Sequence, residues 1–246
     1  MNTNYAFILT TIAGSATILG IIPILFKFKD KEKIIISSLG FASGVMLSAS
    51  FFDLIPEAYN YFISEYKYIP SILFILIFFT IGIILSTFIN KKLEYSDDKL
   101  YEVGISSMLA IIIHNLPEGI ITFLTASVDI RLGFSLALAI LLHNIPEGIS
   151  IAVPIYYSTK SKFKAILYTV VAALSEPFGA VLAFLFLKNY INNFLLGIML
   201  SLIAGIMSNI SLYELFPESL SYNRKKISLI STIVGLIFMY ISICLL

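Results

Sequence analysis

Eight stretches of mostly apolar residues follow one another along this chain, at about 5–26, 34–58, 69–89, 101–126, 131–156, 163–187, 191–218 and 227–246. No other feature restricts the fold as tightly. A helix needs roughly 20 apolar residues to cross a bilayer, and only helices or closed barrels satisfy their backbone in lipid. These stretches are too long and too rich in Leu and Ile to be the alternating strands of a membrane barrel. The expectation is an all-α polytopic membrane protein with eight transmembrane helices, forming a single transporter-like domain over 1–246 because the intervening loops are short. Composition agrees: charged residues are 13% of the 246, against about 25% in soluble domains. A formal charge of +1 offers no basic face for nucleic acid. Met1–Asn4 carries no Lys or Arg, and Tyr5–Phe26 is too long for a signal core, so it reads as the first span. Cys244, the single cysteine, excludes an intrachain disulfide framework or thiolate cluster.

The basic residues orient the spans. Lys27, Lys29, Lys31 and Lys33 follow span 1, Lys91, Lys92 and Lys99 follow span 3, Lys160, Lys162 and Lys164 follow span 5, and Arg224, Lys225 and Lys226 follow span 7. These are thirteen of the sixteen basic residues; Lys67, Arg131 and Lys188 fall one to each remaining loop. Cytoplasmic loops collect Lys and Arg, which predicts a multi-pass cell-membrane protein with both termini outside.

Within the spans or at their ends lie Asp53, Glu57, Glu118, Glu147, Glu176, Glu214 and Glu218, while no Lys or Arg falls well inside any span. Carboxylates in hydrocarbon are costly and mark pathways or ion pairs. With no cationic side chain to pair, what remains is a proton, cavity water or a bound cation. Asp53 and Glu57 are expected near the outer end, and Glu214 and Glu218 near the inner end. His114, Glu118, His143, Glu147 and Glu176 fall near mid-depth at about 1.5 Å per residue. Asp97 and Asp98, in a loop, read as solvated, and the Phe and Tyr content as lipid-facing packing and interfacial belts.

The only two histidines open the same hexapeptide twice, HNLPEG at 114–119 and HNIPEG at 143–148. A helix stacks His114 with Glu118 and His143 with Glu147, four apart on one face. Two such faces meeting would offer imidazole nitrogens and carboxylates to Zn²⁺, Fe²⁺, Mn²⁺, Co²⁺ or Cd²⁺. Asn115 and Asn144 add oxygen on a neighbouring edge. Pro117 and Pro146 have no N–H and are expected to bend their helices, freeing the carbonyls of Ile113 and Leu142. Gly119 and Gly148 let another backbone approach. Glu176 stands beside Pro177 in SEPFGA, and broken helices at mid-depth are typical of ion sites in transporters. DLIPEA at 53–58 and ELFPES at 214–219 share an acid-x-x-Pro-Glu-small pattern at the ends of oppositely directed spans. That pattern predicts that spans 1–3 and 6–8 form an inverted repeat around spans 4 and 5.

HNLPEG, HNIPEG and SEPFGA, with FFDLIPEA in span 2 and YELFPE in span 7, resemble the ZIP (Zrt/Irt-like) metal-ion transporters, particularly the bacterial ZupT-like branch. The resemblance covers nearly the whole chain. It implies a binuclear site at mid-depth: His114, Glu118, His143 and Glu147 as one metal site, and Asn115, Asn144, Glu147 and Glu176 as the other, with Glu147 bridging. It further implies uptake of Zn²⁺ and related ions toward the cytosol, often as a homodimer, by an elevator-like motion of spans 1, 4, 5 and 6. The loop after span 3 lacks the long His-rich segment of many members. Metal ions are thus the expected substrate, with no cofactor. Asp53 and Glu57 are expected to attract the ion and Glu214 to lie on its way out, metal binding displacing protons.

Two other classes are weighed against this one. An intramembrane metalloprotease needs H-E-x-x-H and di-iron carboxylate enzymes E-x-x-H; neither occurs. A passive channel or an exporter uses the same ligands, and flux separates them; a tight site favours alternating access, because conduction needs weak sites.

Overall fold

The computed structural model describes residues 3–93, 98–187 and 192–245, which are helical apart from short connections and contain no strand. Lys188, Asp97 and the first residue of the predicted seventh span lie outside the described residues. Seven helical segments among them are long and apolar enough to cross a membrane, and a shorter apolar helix precedes them. The chain is an all-α polytopic membrane protein.

The first predicted span is not one helix. α1 (Thr3–Leu19) ends at Gly20–Ile21, and α2 (Ile22–Leu25) restarts with a proline in its first turn, a position where the missing N–H costs nothing. Span 2 is α3 (Lys31–Ala49), a π-helical turn at Ser50–Leu54, and α4 (Ile55–Ile63). α5 (Tyr68–Leu93) is span 3. Spans 4 and 5 are α6 (Lys99–Val128) and α7 (Ile130–Thr159). Span 6 is α8 (Lys162–Ala173), a break at Leu174, α9 (Ser175–Leu182) and a π turn at Ala183–Leu187. Span 7 is α10 (Asn193–Ile210), a π turn at Ser211–Leu215 and α11 (Phe216–Ser221), and span 8 is α12 (Lys225–Leu245).

The interruptions fall at some of the prolines that stand beside a glutamate and not at others. α6 and α7 stay helical through Pro117 and Pro146, so the helices carrying the hexapeptides are not interrupted. The disruption falls at Pro56, Pro177 and Pro217. Pro177 cannot donate to the carbonyl of Ala173, where α8 ends. Ahead of Pro56 and Pro217 the backbone widens instead, Ile55 N–H bonding to Ser50 O and Phe216 N–H to Ser211 O, five residues back.

Two groups of helices result. α1, α6, α7, α8 and α9 pack on one another, while α3 pairs with α12 and α5 with α10. The last two pairings cross on glycines: a Cβ on Gly44 would run into the Thr232 carbonyl and one on Gly235 into that of Phe41, just as Gly82 meets Leu202 and Gly205 meets Phe79. This matches a repeat that exchanges span 2 with span 7 and span 3 with span 8. Set in register on Gly44 and Gly205, residues 43–57 (SGVMLSASFFDLIPE) and 204–218 (AGIMSNISLYELFPE) share the glycine, methionine, serine, leucine, proline and final glutamate. The likeness is longer than the hexapeptide alone indicates.

The four lysine-bearing loops gather at one end. Arg224 pairs with Asp30, Lys162 Nζ donates to Leu25 O at 3.3 Å, and Ser158 Oγ donates to Asp98 Oδ2 at 2.5 Å. Asp98 is not merely a solvated loop acid: it caps α6 by accepting from the Leu100 and Tyr101 amides, a typical N-cap arrangement. Outside the spans, Asp30 is held below the ordinary aspartate range, first by its bond to the Arg224 guanidinium and then by the Lys33 amide. At the opposite end, Asn193 Nδ2 donates to Ser64 Oγ at 3.0 Å.

Candidate metal centre

α6 and α7 bring the two hexapeptides face to face, buried among α1 and α9. His114, Asn115, Asn144, Glu147 and Glu176 are fully buried, and Glu118 and His143 are at most 3% exposed. The pairing runs between helices rather than along them. His114 Nε2 lies 3.0 Å from Glu147 Oε1, and His143 Nε2 lies 3.5 Å from Glu118 Oε1. Each imidazole therefore faces the carboxylate of the other motif. Neither pair is in line as a hydrogen bond, and the buried polar atoms of both histidines, of Glu118 and of Glu147 have no such partner. Buried polar atoms are normally satisfied, each orphan costing about 1–3 kcal/mol. A whole cluster of them is a demand for a ligand or water.

Glu176 sits in the first turn of α9, which the break at Leu174 starts at this depth; a carboxylate there is favoured by the helix dipole. Asn144 Nδ2 spends both hydrogens, on Glu176 Oε2 at 2.8 Å and on Ala13 O at 2.9 Å, leaving its Oδ1 unpartnered. Both amide atoms of Asn115 are unpartnered too. The backbones come unusually close here: a Cβ on Gly119 would overlap Glu176 O, and one on Gly148 would overlap Thr17 O. These close approaches are what the motif glycines permit. Thr122 Oγ1 donates to Glu118 O at 2.8 Å and Ser150 Oγ to Glu147 O at 2.7 Å, fixing the backbone of each glutamate.

Among the described residues, no three His, Cys, Asp or Glu side chains converge tightly enough to hold one ion as they stand. The histidines and glutamates are closed on each other in pairs. A dication entering between them would have to draw the two pairs together; the donor set of imidazole, carboxylate and amide oxygen suits Zn²⁺ and its neighbours.

Asp53 and Glu57 line a cavity of about 350 Å³ that runs from Tyr61 and Thr125 down to Glu118 and His143. Asp53 stands on the π turn and Glu57 just beyond Pro56. Glu214 stands on the equivalent turn and lines a second cavity, of about 420 Å³, toward the lysine-rich end. That cavity reaches Ser106, Val103, Asn209 and Thr87, but none of the hexapeptide residues. Glu218 lies on α11 and does not line it. Glu102 and Asn209 were not singled out by the sequence: Glu102 occupies the first turn of α6 beside Lys99, 3.6 Å away, and nothing in the local pattern marks either as facing a cavity.

The family model described as "ZIP Zinc transporter" matches residues 94–243. The chain is 36% identical to the zinc transporter ZupT of Clostridium perfringens, covering 99% of this chain and 96% of the relative. It is 38% identical to the ZupT of Streptococcus mutans over 98% of this chain and 97% of the relative. Against the ZupT of Campylobacter jejuni it is 36% identical, over 98% and 96%.

Proposed function

This chain belongs to the ZIP zinc transporter family, in its bacterial ZupT-like branch, and from that premise we propose that it takes up divalent metal ions, zinc first, into the cytosol. The family is one of transporters, which removes the intramembrane metalloenzyme. Iron, manganese, cobalt and cadmium are the further candidate ions, on the ground that the site is rich in N and O and has no thiolate. The observation that carries the reading is the reciprocal pair His114–Glu147 and His143–Glu118, buried and, among the described residues, with no Lys or Arg paired to either glutamate. His114, Glu118, His143 and Glu147 hold one ion, and Asn115, Asn144, Glu147 and Glu176 a second, Glu147 bridging.

The ion is drawn to Asp53 and Glu57, sheds water against Glu118 and His143, and departs past Glu214. The lysine-rich end faces the cytosol by the distribution of charge, so both termini lie outside. A cavity that reaches the hexapeptides from one side only favours alternating access over a passive channel. The mutual packing of α1, α6, α7, α8 and α9 supports their moving as a unit against the α3–α12 and α5–α10 pairs. A homodimer belongs to the same proposal, and cross-linking in native membranes tests it. Uptake of radioactive zinc into proteoliposomes tests the function: wild-type protein accumulates the ion, Glu147→Ala does not. Equal uptake by the variant would overturn the site, and no uptake by wild type the function.

A further inference from the structure

Five threonines of the described chain are buried: Thr10, Thr17, Thr122, Thr169 and Thr232. Four of them donate their hydroxyl to the carbonyl four residues back, at 2.8–3.0 Å, the usual resort of a helical threonine in a dry environment. Thr17 does not. Its Oγ1 is fully buried and has no partner. The carbonyl it would use is that of Ala13, and that oxygen already accepts Asn144 Nδ2 at 2.9 Å. Asn144 thus occupies the acceptor and leaves a hydroxyl stranded inside the helix group that carries the metal centre.

Its location is specific. Gly14 and Thr17 lie three apart on one face of α1, and a Cβ on Gly14 would stand 3.1 Å from Glu176 Oε2. The Thr17 carbonyl abuts Gly148, the residue after Glu147, as the Glu176 carbonyl abuts Gly119, the residue after Glu118. Three residues on, Gly20 packs against Gly148 and Gly179 against the Leu116 carbonyl. Thr17 on α1 is therefore the counterpart of Glu176 on α9 across the α6–α7 pair. On the Glu176 side the asparagine is engaged: Asn144 bonds to Glu176. By the same exchange Asn115 on α6 is the counterpart of Asn144, and both its amide atoms are unpartnered.

Resting on the transport reading above, we propose that the Thr17 hydroxyl is a further oxygen donor of the metal centre, acting with Asn115 and tuning which ion is accepted. A neutral hydroxyl adds no charge and favours harder, oxygen-preferring dications over softer ones. It replaces a carboxylate at the pseudo-equivalent position, so the centre holds one fewer negative charge than a symmetric pair of glutamates would give.

The test is competition uptake of Zn²⁺, Mn²⁺ and Cd²⁺ into proteoliposomes, with calorimetric binding of each ion to the purified full-length protein. Thr17→Val keeps the shape and removes the oxygen; it is expected to raise the apparent KM and Kd for Mn²⁺ by about three- to tenfold and for Cd²⁺ by less. Thr17→Ser should stay within about twofold of wild type for all three ions, the oxygen being kept. Thr17→Cys should move preference toward Cd²⁺ by about tenfold or more, because a thiolate is the softer donor. An unchanged order of preference in the Val and Cys variants, whether or not overall uptake falls, overturns the proposal. If the Val variant does not fold, the Ser and Cys variants still decide it. A wild-type protein that neither binds nor carries these ions sinks the transport reading itself, a distinct result.

Discussion

Residues 43–57 and 204–218 build the same local object twice: a crossing glycine, a π turn bearing an acid, then Pro-Glu. The cavity beside Asp53 continues to Glu118 and His143, while the cavity beside Glu214 ends at Ser106 and Asn209. The equivalent deeper residues on that side would be Glu147 and His114, and neither lines that cavity. The lesson is that a repeated sequence fixes where an acid and a helix break stand, and not whether a path opens beside them. Access is decided by how the α6–α7 pair is seated between the two copies.

Removing a donor of the centre itself is expected to have the largest effect. Glu147→Ala and His114→Ala should each lower zinc uptake by at least about a hundredfold, since even an outer-shell change at a metal site costs about 10–100-fold; retained uptake would mean the ion passes elsewhere. Next comes the asymmetry itself. With Cys244 replaced by Ser, a cysteine at Ser135, beside Asp53, should label quickly with an impermeant thiol reagent applied from the terminus-bearing side. A cysteine at Ser106, beside Glu214, should resist it, and equal labelling would break the comparison.

The acids should then differ in kind. Asp53→Asn should raise the KM for zinc by about three- to tenfold, most at low ionic strength, because it removes an attracting charge from the open cavity. Glu214→Gln should leave KM within about twofold and act on the maximal rate, as expected of a residue met after binding. The smallest effect concerns the Asp30–Arg224 contact, both side chains about 40% exposed. Arg224→Ala should lower Tm slightly and equally from pH 6 to 8. Asp30 has its folded pKa depressed, so its contribution is full above the ordinary aspartate value and fades as pH falls below about 4. A Tm difference that instead grew on acidification would contradict the pairing.

Much of this was legible in advance for identifiable reasons. Apolar runs long enough to span, thirteen basic residues in alternate loops and two histidines in duplicate motifs report directly on solvent and ligand chemistry. The structure brings His114, Glu118, His143, Glu147, Asn144 and Glu176 into one buried group, with Asn115 buried beside them. Where the outcome depends on a distant neighbour, residue type and spacing do not decide it. Pro117 and Pro146 leave α6 and α7 continuous, whereas Pro56 and Pro217 follow π turns, although all four stand before glutamate. Asp98 looked like loop charge because its role as a cap requires knowing that α6 begins at Lys99.

By itself the sequence determined the solvent, the run of apolar segments and the chemistry of the donors, because each follows from residue type and spacing along one chain. Only the tertiary structure decided that each histidine faces the other motif's glutamate, that Asn144 occupies the carbonyl Thr17 would have used, and that one cavity reaches the centre while its twin does not. Those facts depend on which backbones approach each other. Approach between helices far apart in sequence is set by glycine crossings acting in concert, with no signature in any single segment.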